Sequence, residues 1–119
     1  GTHPIVVELH GFSGLLARPL TFVPDPDWCA AFRIYPIDPG NSWWFGCARN
    51  HDYRASLDVP AGEVIENFTE QRVIRMIEDL RREGQFQGQI DGRRIYVDGH
   101  SMGGSGALAM ALRYPDYFT

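Results

Sequence analysis

The residues of this chain best suited to covalent chemistry lie in the stretch DGHSMGGSGALAMAL, residues 98–112, where Gly99 and Gly103 flank Ser101. A serine hydroxyl becomes a nucleophile when a base removes its proton and hydrogen-bond donors stabilise the oxyanion that forms. The Gly-x-Ser-x-Gly spacing suits a sharp turn from a strand into a helix, because side chains at the flanking positions would clash there. The pattern therefore predicts that Ser101 is a nucleophile, and the alternative is a glycine-rich turn whose serine caps the helix.

A second stretch, VVELHGFSG over residues 6–14, could supply a partner for that serine. In strand-to-helix serine turns, the oxyanion is bound by the amide that follows the serine and by an amide from a loop at the end of an earlier strand. The pattern therefore predicts the backbone amides of Met102 and Phe12 as the two donors, with an ordinary strand end as the alternative for His10-Gly11. His10 itself is expected to organise its loop through hydrogen bonds rather than to act as a base.

The elements that must position these residues alternate along the chain. Short β-branched runs predict strands, and apolar residues at helical spacing predict helices. The predicted strands span residues 5–9, 30–37 and 94–98, and the predicted helices span residues 68–83 and 103–114. Segments 12–28 and 38–62 are predicted to be loops. This alternation is typical of an α/β fold with a parallel sheet.

The ends of the predicted helices carry recognisable signals. Asn67 is a typical N-cap residue for the first helix, and Glu70 three positions later completes a capping pattern. Gly84 is predicted to end that helix as its C-cap. Pro115 is predicted to end the second helix, because proline cannot continue the hydrogen-bond pattern.

Composition and charge argue against several classes of function. The chain has 119 residues, which fits one domain or part of one, and its net charge of −4 without a basic patch argues against a nucleic-acid partner. Its longest apolar run, residues 107–112, is too short to span a bilayer, so no membrane partner is expected. No signal peptide is visible, and an extracytoplasmic or secreted location is slightly favoured. Cys29 and Cys47 fit a disulfide and two free thiols about equally well, and they are not spaced like zinc ligands.

Three stretches together resemble a known family: PIVVELHGFSG, PGNSWWFG and RIYVDGHSMGGSGALAMALRYPDYF. They are similar to α/β-hydrolases, and most closely to the esterase branch that includes esterase D, polyhydroxybutyrate depolymerases, and feruloyl and acetylxylan esterases. The resemblance implies a three-layer α/β fold with a mostly parallel sheet. It also implies a serine carboxylester hydrolase that acts through an acyl-enzyme, without cofactor or metal, on a small-molecule or polysaccharide-linked ester. Residue by residue, it makes Ser101 the nucleophile and the Phe12 and Met102 amides the oxyanion hole.

The sequence departs from that family pattern after Ser101. The catalytic triad of the family runs in the order serine, acid, histidine, yet Asp116 is the only carboxylate after Ser101 and no histidine follows it. We therefore expect residues 1–119 to be the N-terminal part of a single hydrolase domain, ending shortly after the helix that follows the serine, with the triad acid and histidine missing. His51, beside Asp52 in the loop after the second strand, is the alternative as a surrogate base.

Two further interpretations stay open. Trp43 and Trp44 follow the second strand at the edge where open α/β sheets bind ligands, so they either line the acyl or alcohol pocket or cover the core. The chain could also be a non-catalytic hydrolase-like binding module, or a serine peptidase of the same fold. Unpaired sheet edges would favour self-association.

Overall fold

The architecture is an α/β fold built around one main sheet. The computed structural model describes residues 1–12, 21–23, 30–50 and 61–119. The strands in these ranges are β1 (His3–Leu9), β2 (Thr21–Val23), β3 (Ala31–Ile34), β4 (Cys47–Ala48), β5 (Ile65–Glu66) and β6 (Ile90–Gly99). The helices are α1 (Phe68–Arg82) and α2 (Met102–Arg113), and a 3-10 turn spans Gly84–Phe86.

β1 lies inside the main sheet. The strand order is β2-β3-β1-β6, and β1 runs parallel to both of its neighbours. Val7 lies opposite Ile34 on β3 and opposite Val97 on β6. β2 runs antiparallel to β3, and β4 and β5 form a separate antiparallel pair. The prediction of an α/β fold with a mostly parallel sheet is therefore confirmed.

Side chains that alternate along β1 separate the two faces of the sheet. Ile5, Val7 and Leu9 are at most 2% exposed and form the core with apolar residues of β3, β6 and both helices. The opposite face is more polar, and Glu8 pairs there with Arg33. α1 and α2 thus form one layer on the Ile5 face. The second helical layer that a three-layer arrangement requires is not among the described residues.

A buried carboxylate joins the two helices. Glu70 on α1 is completely buried, and its Oε1 accepts a hydrogen bond from Arg113 Nε of α2 at 2.6 Å. Its Oε2 accepts a hydrogen bond from the Tyr114 hydroxyl at 3.1 Å. Burial, together with the Glu70 carboxylate, raises the pKa of Tyr114. Because both carboxylate oxygens have partners, the cost of burying the Glu70 charge is compensated.

The capping interactions predicted for the first helix are partly wrong. Asn67 occupies the N-cap position of α1, but its side chain makes no capping hydrogen bond and instead donates to the Tyr114 hydroxyl at 3.2 Å. Glu70 does not complete the capping pattern, because its ion pair with α2 holds it in the core. At the other end Glu83 is the C-cap residue, and Gly84 opens the 3-10 turn. Neither helix in the described ranges is long and apolar enough to cross a membrane.

The strands differ from their predicted bounds for physical reasons. β3 ends at Ile34 rather than at residue 37, since Pro36 has no amide proton with which to continue the ladder. β6 begins at Ile90, before the predicted residue 94, because its first part pairs with β1 across a register shift. β2, β4 and β5 were not predicted, since strands of two or three residues give no detectable hydrophobic pattern.

Replacing Arg113 by methionine should destabilise the fold by about 3 kcal/mol, because the substitution keeps much of the side chain's bulk but leaves the Glu70 charge buried without its cation. Urea unfolding of the wild-type and variant chains measures this difference. Arg82→Met, at the exposed end of α1, is the control and should change the stability by about 0.5 kcal/mol or less. Equal effects of the two substitutions would contradict the role given to the Glu70–Arg113 pair.

Candidate active site

Three connections meet at the carboxyl edge of the sheet, where open α/β sheets bind ligands. They are the β1 turn (residues 10–12), the β3 loop (residues 35–46) and the β6 turn (residues 100–101). A Cβ placed on Gly11 would lie 3.5 Å from the Cβ of Ser101, so the β1 turn lies close to the β6 turn. α2 begins at Met102, directly after the β6 turn.

Ser101 lies between β6 and α2 in a backbone conformation that side chains disfavour. Its φ is 56° and its ψ is −118°. The flanking glycines make the turn sterically feasible: a Cβ on Gly99 would lie 2.3 Å from the Gly103 carbonyl oxygen, and a Cβ on Gly103 would lie 1.9 Å from the Leu9 carbonyl oxygen. Ser101 is exposed and occupies the N-cap position of α2, but its side chain makes no capping hydrogen bond. The capping bond of the alternative interpretation is therefore not formed, and the role of Ser101 as a nucleophile stays a prediction.

Two backbone amides near Ser101 have no acceptor among the described residues. Met102 begins α2, so its N–H belongs to the first helical turn, whose amides have no intrahelical partner. The Phe12 amide follows Gly11, where an added Cβ would lie 3.5 Å from the Ser101 Cβ. Neither amide donates to a backbone acceptor within the part of the chain that the structure describes. An oxygen bound near Ser101 would also experience the partial positive charge of the α2 N-terminus.

The His10 imidazole joins the β1 turn to the β3 loop. Its Nε2 accepts a hydrogen bond from the Asp38 amide at 2.9 Å, and its Nδ1 donates to the Gly11 carbonyl oxygen at 2.7 Å. The His10 carbonyl oxygen accepts a hydrogen bond from Trp44 Nε1 at 3.1 Å, and the two rings pack edge to face with centroids 4.8 Å apart. The prediction that His10 organises its loop through hydrogen bonds is confirmed.

A comparison with protein-family models covers much of this site. Residues 42–119, more than half of the chain, match the model of the Esterase family, whose description reads "Putative esterase". The chain belongs to this esterase family. The match includes residues 42–46 of the β3 loop, both helices and Ser101, whereas the β1 turn precedes it. A search of curated proteins and a search of solved structures each found no match.

A buried aspartate that the sequence pattern did not reveal shapes the β3 loop of the esterase. Asp38 is 3% exposed, and Ser42 Oγ, which donates to the carboxylate, lies 3.0 and 3.1 Å from its two oxygens. The Trp44 amide donates to Asp38 Oδ2 at 3.1 Å. Aspartate side chains that bond to the backbone a few residues later are typical of turns. The run Asp-Pro-Gly-Asn was therefore the signal in the sequence that could have identified it.

The two tryptophans of the esterase have different environments. Trp44 is fully buried and packs on α2, where a Cβ on Gly106 would lie 2.5 Å from the Trp44 Cβ. Of the two alternatives, lining a pocket or covering the core, Trp44 therefore covers the core. Trp43 is 57% exposed, and its role in a pocket wall stays a prediction. Both residues have positive φ, 56° for Trp43 and 65° for Trp44, so the β3 loop contains strained backbone.

Some of the remaining candidate residues lie in the described part of the chain and others do not. His51 and Asp52, the alternative base and its neighbour, lie outside the described residues, as does Cys29. Cys47 is a free thiol on β4. Asp116 is exposed in the turn that follows α2. Among the described residues, no group of three or more histidine, cysteine, aspartate or glutamate side chains could hold a metal ion.

Gly103→Ala should lower the stability of the esterase by about 3 kcal/mol, because the added methyl would overlap the Leu9 carbonyl group. This carbonyl group belongs to the backbone of β1 and cannot move aside easily. Gly84→Ala is the matched control, since nothing lies within 4 Å of a Cβ added there. Thermal unfolding of both variants measures the effect. A Gly103→Ala chain that melts together with the control would show that α2 does not approach β1 this closely.

Proposed function

We propose that this esterase is a serine carboxylester hydrolase that works through an acyl-enzyme on Ser101. The observation that carries the proposal is the β6 turn, where Ser101 is exposed at a φ of 56° and its hydroxyl does not cap α2. A hydroxyl in an exposed, strained turn that does not serve the helix suits a nucleophile. Membership of the esterase family supports ester hydrolysis in general terms.

In the proposed reaction the Ser101 oxygen attacks the ester carbonyl carbon while a base takes the hydroxyl proton. The carbonyl oxygen becomes an oxyanion, which the Phe12 and Met102 amides stabilise. The tetrahedral intermediate then collapses, the bond to the alcohol oxygen breaks, and the base gives its proton to the leaving alcohol. Water attacks the acyl-serine by the same route, which releases the carboxylic acid and restores the Ser101 hydroxyl.

The placement of the two amides supports their assignment as an oxyanion hole. Met102 directly follows Ser101, and Phe12 directly follows Gly11, where an added Cβ would lie 3.5 Å from the Ser101 Cβ. Removing one donor from such a site typically lowers kcat by about 10²–10³-fold, so a pair of donors accounts for a large part of the rate enhancement. The proposed substrate is a small-molecule or polysaccharide-linked ester, and the chemistry uses no cofactor.

The base and the acid of the triad are proposed to come from residues beyond these 119. In this fold the acid and the histidine follow the serine in the chain. Asp116 does follow Ser101, but α2 lies between them, and its 12 residues extend roughly 18 Å along the helix axis. We propose that residues 1–119 are the N-terminal part of a single hydrolase domain. His51 is the alternative base within the sequence.

Incubation of the full-length protein, including the residues proposed to supply the base and the acid, with a fluorophosphonate probe should label Ser101 covalently, because an activated serine attacks the phosphorus atom and displaces fluoride. Ser101→Ala should lose the label and the turnover of a short-chain nitrophenyl ester. Ser105→Ala is the matched control, since Ser105 is an exposed serine on the same helix, and it should label like the wild type. Peptide mass spectrometry identifies the labelled residue. Labelling that persists in Ser101→Ala, or a full-length wild-type protein that neither labels nor hydrolyses the ester, would contradict the serine mechanism.

A further inference from the structure

We propose that His10 is a positioning residue that fixes the direction of the Phe12 amide through the Gly11 carbonyl group. The inference rests on the proposed function, in which the Phe12 amide is one of the two oxyanion donors. It concerns a histidine outside the residues matched by the family model, at the end of the central strand.

The first step of the inference is the geometry of one peptide unit. His10 Nδ1 lies 2.7 Å from the Gly11 carbonyl oxygen and donates a hydrogen bond to it. That carbonyl group and the Phe12 N–H belong to the same peptide, which is planar and trans, so the two point in opposite directions. Holding the Gly11 oxygen on the imidazole therefore sets the direction in which the Phe12 N–H points.

The second step is the choice of tautomer. A carbonyl oxygen can only accept a hydrogen bond, so Nδ1 of His10 must carry a proton. The Asp38 amide donates to Nε2 at 2.9 Å, so Nε2 must offer its lone pair. A neutral imidazole has one nitrogen of each kind, and the two contacts select the same tautomer. The Asp38 amide of the β3 loop thus keeps Nδ1 available as the donor to Gly11.

The third step is the restraint on the peptide that precedes Gly11. The His10 carbonyl oxygen accepts a hydrogen bond from Trp44 Nε1 at 3.1 Å, and the Trp44 ring packs against the imidazole. Both peptide units around Gly11 are therefore tied to neighbouring side chains. Because a Cβ on Gly11 would lie 3.5 Å from the Ser101 Cβ, a rotation of either peptide would change the surroundings of the serine.

The tautomer can be measured without catalysis. Heteronuclear NMR of the full chain with isotope-labelled histidine distinguishes the two ring nitrogens, and His10→Asn assigns the resonance by its loss. We expect a single neutral tautomer with the proton on Nδ1. A proton on Nε2, or an average of the two tautomers, would overturn the inference and leave the serine mechanism untouched.

The effect on catalysis is tested by a pair of amide substitutions. The side-chain amide of asparagine reaches about as far as Nδ1 and that of glutamine about as far as Nε2, so His10→Asn can still donate to Gly11 and His10→Gln cannot. We expect His10→Gln to lower kcat and the rate of fluorophosphonate labelling by roughly ten- to a hundredfold with KM unchanged, since outright loss of an oxyanion donor costs about 10²–10³-fold. His10→Asn should stay within about fivefold of the wild type, a loss much smaller than that of a missing donor.

His3→Gln, at the opposite end of β1, is the control for a general effect of replacing a histidine on this strand, and it should behave like the wild type. Equal activity of His10→Gln and the wild type, or equal losses in His10→Gln and His10→Asn, would overturn the positioning role. A full-length wild-type protein that does not label contradicts the proposed function itself, and this result is separate from the tautomer measurement.

Discussion

The site depends on one close approach between backbone groups, that of α2 to the end of β1. A Cβ on Gly103 would lie 1.9 Å from the Leu9 carbonyl oxygen, so only glycine fits between the helix and the central strand. Because of this approach only His100 and Ser101 separate β6 from α2, and Ser101 adopts a φ of 56° in this turn. The same geometry buries Met102 at the helix N-terminus and leaves its amide without an intrahelical partner.

α2, the helix that follows Ser101, also supports the β3 loop. The missing side chain at Gly106 makes room for Trp44, whose indole bonds to the His10 carbonyl oxygen. His10 in turn holds the peptide that carries the Phe12 amide. Strained residues such as Trp44 and Ser101 cost about 1–3 kcal/mol each, and the buried core and the ion pair between the helices must offset that cost. Strain concentrated in the β3 loop and the β6 turn is typical of a functional site.

Features with local causes could be predicted from the sequence, and features with distant causes could not. The turn at Ser101 follows from its flanking glycines, because the steric requirement acts between neighbours. Glu70 illustrates the opposite case: its local pattern indicates a helix cap, yet Arg113, 43 residues later, draws it into the core. The Asp38 amide and the His10 imidazole form a hydrogen bond across 28 residues, and no hydrophobic periodicity reveals such a contact. The sequence predicts that His10 organises its loop, but it does not identify Asp38 as the partner. Strands of two or three residues, such as β2 and β4, likewise form because a partner strand is present.

The central claim is that Ser101 and the amides of Phe12 and Met102 form one site for ester hydrolysis. The most direct measurement is a crystal structure of the full-length protein after reaction with a fluorophosphonate, in which the phosphonate stands for the tetrahedral intermediate. We expect the phosphorus atom to be bonded to Ser101 Oγ, with one phosphonyl oxygen within about 3 Å of both amide nitrogens. A phosphonate on another residue, or an oxygen on Ser101 that contacts neither amide, would contradict the claim.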